Sequence, residues 1–203
     1  MRLAGFLLLA AGVAAASDPP PPAMTDAQRS QVRELLKASR AEYLAAIENL
    51  TPEQWTFKPA PGRWSIGEVA EHVALAEALL FAKMEEALRN PISEDWAQKT
   101  AGKTELLLRV MAPRQGRAQA PEDIVPSGTW DYAKARAEYD KVRERTWKFA
   151  ETTQAEMNAR TAEHPFPVFK TLSAYQWLIY IPLHNQRHVK QILEVKASEG
   201  YPK

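Results

Sequence analysis

Cysteine is absent from the 203 residues, which excludes disulfides, thiolate metal ligands and a cysteine nucleophile together. Any metal must therefore be held by His, Asp or Glu. A surplus of charge is absent as well. Lys and Arg number 26 against 25 Asp and Glu, and no segment gathers the basic residues, so the electrostatic footprint needed for nucleic acid or anionic lipid is missing. The apolar run Leu3–Ala16 falls short of the roughly 20 residues that cross a bilayer as a helix. Glycine is scarce at 8 residues, and strand-like alternation appears nowhere at length. What remains is ordinary: 45% hydrophobic and 25% charged residues, in a chain long enough for one domain with a core that needs no staples.

The amino-terminal segment reads as separate from the fold. Arg2 gives a positive start, Leu3–Ala16 is apolar or small throughout, and Ala14, Ala15 and Ala16 suit a signal peptidase before Ser17. Residues 1–16 are expected to be a secretory signal peptide, giving a periplasmic or secreted protein with no stable membrane anchor after cleavage. Removing Arg2 with that segment leaves a mature chain of zero net charge, a further argument against nucleic acid as a partner. Residues 17–24, with four consecutive prolines, form an extended linker.

Beyond Thr25 the pattern is helical. Val32, Leu35, Leu36, Tyr43, Ile47 and Leu50 line one face of a first long helix over about 25–49. Residues 51–64 carry prolines and glycines among Trp55, Phe57 and Trp64, and read as a loop that tucks aromatic rings against the core. Ser65 and Glu68 make a capping box ahead of Val69, Val73, Ala76, Leu79, Leu80 and Met84, a second long helix ending near Asn90 because Pro91 follows. Residues 91–129 form a long crossover with a short helix at Lys103–Met111. A third long helix, capped by Ser127 or Thr129, runs to about Asn158 on Tyr132, Ala135, Tyr139, Val142 and Phe149. A Pro-broken segment, 164–170, precedes a fourth from about Ser173 to Ser198. The expected fold is all-α: a four-helix bundle over residues 25–200, with the crossover between long helices two and three.

Three of the four histidines carry the chemistry. His72 shares the apolar phase of Val69 and Ala76 on the second long helix. On the fourth, Trp177, Ile181, His184, His188, Ile192 and Val195 share one face, so both imidazoles of an H-x-x-x-H pair project inward. Imidazoles at i and i+4 can meet one ion, and facing helices of a bundle commonly hold metals. Core histidines with separate hydrogen-bond partners are the alternative, but three neutral imidazoles each needing a partner make a costly apolar interior. Thus His72, His184 and His188 are the candidate ligands of one divalent metal.

Two stretches carry a family resemblance. Residues 59–72, Pro-Ala-Pro-Gly-Arg-Trp-Ser-Ile-Gly-Glu-Val-Ala-Glu-His, resemble the start of the second helix in the DinB-like (YfiT/DinB) superfamily, and residues 183–192, Leu-His-Asn-Gln-Arg-His-Val-Lys-Gln-Ile, resemble its closing H-x-x-x-H motif. The resemblance covers most of residues 25–200. It implies a four-helix bundle holding a divalent metal, most often zinc or nickel, on His72, His184 and His188. It also implies a metal-dependent hydrolase or a thiol-dependent S-transferase, and no DNA polymerase; because a fold by itself fixes no activity, a non-catalytic metal- or ligand-binding bundle is the further alternative. Export separates the chain from cytoplasmic low-molecular-weight thiols, whereas hydrolysis needs only water, so a hydrolase acting on a small-molecule substrate is the leading expectation. Such bundles often pair, which leaves a homodimer open.

Other residues are ambiguous by themselves. Glu68 is a fourth ligand or base in one reading and a capping residue in the other, which is favoured. Arg187 suits an anionic substrate or the bundle surface, and Pro182 should kink the fourth long helix just before His184. Trp64 and Trp177 read as core, with a pocket wall as the lesser alternative. His164 lies in a loop between Glu163 and Pro165, outside the site. No catalytic residue can be assigned.

Overall fold

The computed structural model describes residues 22–111, 113 and 119–203, so the expected signal peptide and the start of the linker lie outside the described residues. In chain order the elements are α1 (Asp26–Ile47), α2 (Pro52–Thr56), α3 (Ile66–Arg89), α4 (Trp96–Thr100), α5 (Lys103–Met111), α6 (Tyr132–Thr152), β1 (Thr161–Glu163), β2 (Thr171–Ser173) and α7 (Ala174–Lys196). The four long helices are the expected ones, and α5 is the expected short crossover helix. α1 packs on α6 and α7, and so does α3, which sets α1 and α3 on opposite corners of the bundle. None of the described helices is long and apolar enough to cross a membrane.

Four helices open on the same device. Thr25 with Gln28, Thr51 with Gln54, Ser65 with Glu68 and Ser173 with Gln176 each form a reciprocal capping box, satisfying amides that the helix itself leaves without acceptors. The second of these corrects the reading of 51–64 as loop throughout: Pro52 sits in the first turn of α2, where its missing N–H costs nothing. Trp55 on α2 is buried and donates from Nε1 to the Trp130 carbonyl at 2.9 Å. Gly67 permits this seat, because a Cβ there would run into the Trp55 indole.

Two further readings are corrected. α6 is capped by Asp131, whose Oδ1 accepts from the Lys134 amide at 2.8 Å, and not by Ser127 or Thr129. It ends at Thr152, six residues before Asn158, and a small antiparallel ribbon follows in which Thr161 opposes Ser173 and Glu163 opposes Thr171. The end of the Pro-rich linker is held to the body. Asn158 donates from its amide to the Pro22 carbonyl at 2.7 Å and from Nδ2 to the Ala23 carbonyl at 3.0 Å, and Met24 is buried.

The core is divided. Val32, Leu36, Phe81, Met84, Leu178 and their neighbours fill one end. Tyr43, Val69, Val73, Tyr139 and Ile192 fill the other. Between them lies a buried polar layer to which each long helix contributes one residue: Ser39, Glu77, Arg143 and Asn185. Arg143 donates Nε and Nη2 to the Glu77 carboxylate, with Nη2–Oε2 at 2.8 Å, and Nη1 to the Leu36 carbonyl at 2.7 Å and Ser39 Oγ at 2.8 Å. Asn185 adds a further bond, from Nδ2 to Glu77 Oε2 at 2.9 Å. The charges are buried but hydrogen-bonded on every side, the condition under which an interior ion pair persists.

Candidate metal centre

The capping box at Ser65 starts α3 in the phase that turns His72 toward α7, and α3 and α7 share the most extensive contact among the described helices. α7 continues unbroken through the buried Pro182 and presents His184 and His188 one turn apart. The three imidazoles converge. Their ring centroids lie 5.4 Å apart for His72 and His184, 4.5 Å for His72 and His188, and 4.4 Å for His184 and His188. One nitrogen from each ring falls within 4.8 Å of the others. His72 and His188 are buried and His184 is half-buried.

The outer hydrogen bonds decide which nitrogens face inward. His72 Nδ1 lies 2.8 Å from the Ile124 carbonyl, which can only accept, so Nδ1 carries the proton and Nε2 keeps a free lone pair. His188 Nδ1 lies 2.9 Å from Gln191 Oε1, with the same consequence. The Nε2 atoms of His184 and His188 then stand 3.2 Å apart. In the metal-free protein His184 Nε2–H can donate to the His188 Nε2 lone pair at this distance, and a cation bound by both nitrogens would take the place of that proton. A cation held by imidazole nitrogens fits this donor set, as do the outer carbonyl and amide partners that usually orient metal-bound histidines. His184 Nδ1 is buried without a partner among the described residues.

The neutral form is favoured for His72 and His184. Burial lowers the pKa of His72, opposed in part by its bond to Ile124, and burial, His72 and Arg187 together lower that of His184 well below the ordinary value. Neutral imidazole is the ligating form.

The surrounding residues sort as follows. Glu68 is occupied: Oε2 accepts from the Ser65 amide at 2.8 Å and Oε1 pairs with Lys58 Nζ at 2.7 Å. It serves as a cap. Trp64 lines the centre, its ring 4.8 Å from that of His72, and so belongs to the wall and not simply to the core. Trp177 is core. Arg187, close after His184 on α7, donates Nη1 to the Pro113 carbonyl at 2.9 Å. Two residues escape sequence reasoning: Ile124, which acts through its carbonyl and carries no side-chain signal, and Glu71, a buried acid beside His72 whose only signal is its place next to the apolar face.

His164 lies elsewhere, stacked on Trp177 with centroids 4.8 Å apart. Burial lowers its pKa to about 4, and its Nδ1 accepts a hydrogen bond from the Phe166 amide at 3.0 Å. The unfolded chain, with an ordinary histidine pKa near 6.5, takes up this proton first as pH falls. Stability from this group is therefore full above about pH 6.5 and lost as pH falls toward 4. Denaturant titrations across that window should show a shallower pH slope for His164→Phe than for wild type, and equal slopes would contradict the assignment.

A family model described as the DinB superfamily matches residues 35–192. The uncharacterized protein YuaE of Bacillus subtilis (strain 168) is 25% identical over 163 residues, which is 80% of this chain and 95% of that protein. Among solved structures, YfiT from Bacillus subtilis, described as a probable metal-dependent hydrolase with an unusual four-helix bundle topology, is similar with a TM-score of 0.57 at 17% identity. The similarity covers 90% of this chain and 94% of that one, and is a likeness of fold.

Proposed function

The chain belongs to the DinB superfamily, and from that premise we propose that it is a metal-dependent hydrolase of a small-molecule substrate, with His72, His184 and His188 holding one divalent ion through Nε2. Zinc or nickel is the proposed ion. The observation that carries the reading is the convergence of three imidazoles, with the outer nitrogens of two of them fixed on Ile124 and Gln191. The description of YfiT as a probable metal-dependent hydrolase supports it.

When bound by three protein ligands, such an ion supplies Lewis acidity toward a carbonyl or phosphoryl oxygen and acidifies water to a pKa of about 7. The chain's own residues supply the setting. Ile124 and Gln191 orient two of the rings, and Trp64 covers one side of His72. Arg187, whose charge depresses His184 protonation, is the proposed contact for an anionic group of the substrate. Among the described residues no carboxylate joins the three rings, so no general base is assigned.

The test compares chelator-stripped protein with protein reloaded with zinc or nickel, on carboxylic ester, amide and phosphoester substrates. Turnover should require the ion, proceed without any added thiol and vanish in His188→Ala. Turnover only with a low-molecular-weight thiol would replace the hydrolase with an S-transferase. An ion bound at one equivalent with no turnover would leave a binding bundle.

We also propose export, supported by Arg2, the apolar run and the alanines before Ser17. Mass spectrometry of protein from its native source should find a chain beginning near Ser17, and an intact Met1 would contradict this.

A further inference from the structure

Glu71 lies beside His72 on α3 and is almost fully buried. Its carboxylate receives two consecutive backbone amides, Ser127 N on Oε1 at 2.8 Å and Gly128 N on Oε2 at 3.0 Å. These belong to the loop that brings the Ile124 carbonyl onto His72 Nδ1. Gly128 adopts φ +74°, a conformation that turns the loop and that side chains rarely take. Adjacent residues of α3 thus grip the loop at points three to four residues apart: Glu71 holds its amides, and His72 meets its carbonyl.

A buried carboxylate binding two N–H groups makes strong, charge-assisted hydrogen bonds, and the loop cannot leave without orphaning that charge. The Ile124 carbonyl in turn fixes which His72 nitrogen is protonated. Were the loop free to shift, His72 would exchange tautomers and present an N–H toward the other two rings for part of the time.

We propose that Glu71 is a positioning residue that, by clamping the 124–128 loop, locks His72 in its Nδ1–H tautomer and so keeps Nε2 available as a metal ligand. The inference rests on the three-imidazole reading for its consequence, while the tautomer itself is a property of the metal-free protein.

The test uses full-length protein carrying Glu71→Gln, which keeps the shape but loses one of two acceptors, and Gly128→Ala, which strains the loop without altering Glu71. Long-range proton–nitrogen correlation spectra of the metal-free protein near pH 8 report the His72 tautomer. Zinc affinity is measured by chelator competition. Wild type should show His72 almost wholly protonated at Nδ1, both variants should show mixed tautomers, and both should bind zinc about 10- to 100-fold more weakly, the range seen for outer-shell partners. His188 should keep its tautomer. A His72 tautomer unchanged in the folded variants would overturn the proposal, whatever the affinity does. So would mixed tautomers with unchanged affinity. Should one variant fail to fold, the other carries the test alone. If wild type binds no zinc, the three-imidazole reading fails, and the tautomer comparison still decides whether Glu71 sets the ring.

Discussion

Arg143→Met is expected to destabilise the protein by about 3–5 kcal/mol, because it strips the Glu77 carboxylate, buried between two apolar clusters, of its cation and leaves it the Asn185 amide. For a chain of this length each kcal/mol moves the melting temperature by roughly 2–4 °C, so the midpoint should fall by about 6–20 °C. The double change Arg143→Met with Glu77→Leu removes both charges together. It should recover most of the loss, since a buried ion pair and a well-packed apolar replacement are often close in stability. Calorimetry and urea titration of the two variants measure this. A loss under about 1 kcal/mol for Arg143→Met would mean that water or another cation reaches Glu77, contradicting the closed layer of Ser39, Glu77, Arg143 and Asn185.

The second large effect concerns the ion. His72→Ala, His184→Ala and His188→Ala should each lose stoichiometric binding of zinc or nickel, a larger loss than the roughly 10- to 100-fold expected of an outer-shell residue. His164→Ala should bind as wild type does, because its ring stacks on Trp177 apart from the other three. Isothermal titration of chelator-stripped protein reads this directly. Retention of full affinity by any of the first three variants would remove that ring from the proposed ligand set.

Helix phase is the legible part of both fold and site. The 3.6-residue spacing of Val69, His72 and Ala76, and of Trp177, Ile181, His184, His188 and Ile192, puts three imidazoles on inward faces, and the rings do converge. Capping patterns are legible only in part. Ser65 and Glu68 stand out ahead of a long apolar stripe, yet Thr51 and Gln54 form the same box, and the prolines and glycines around it mask α2. Charged residues in the core are not legible. Arg143 and Glu77 look like solvated charges in the sequence, and only the tertiary arrangement, one polar residue from each long helix at one level, makes their burial tolerable. Backbone partners are silent in any sequence. Nothing about the side chain of Ile124 announces that its carbonyl meets His72, and Ser127 has the look of a helix cap while its amide serves Glu71.

The central claim is that Nε2 of His72, His184 and His188 share one divalent cation. Anomalous diffraction from crystals of the zinc-loaded protein, collected on both sides of the zinc absorption edge, tests it most directly. The expected result is one strong peak roughly 2.0–2.2 Å from all three Nε2 atoms, with the Nδ1 atoms of His72 and His188 still turned to Ile124 and Gln191. A zinc peak away from these rings, or none with the rings in place, would contradict it.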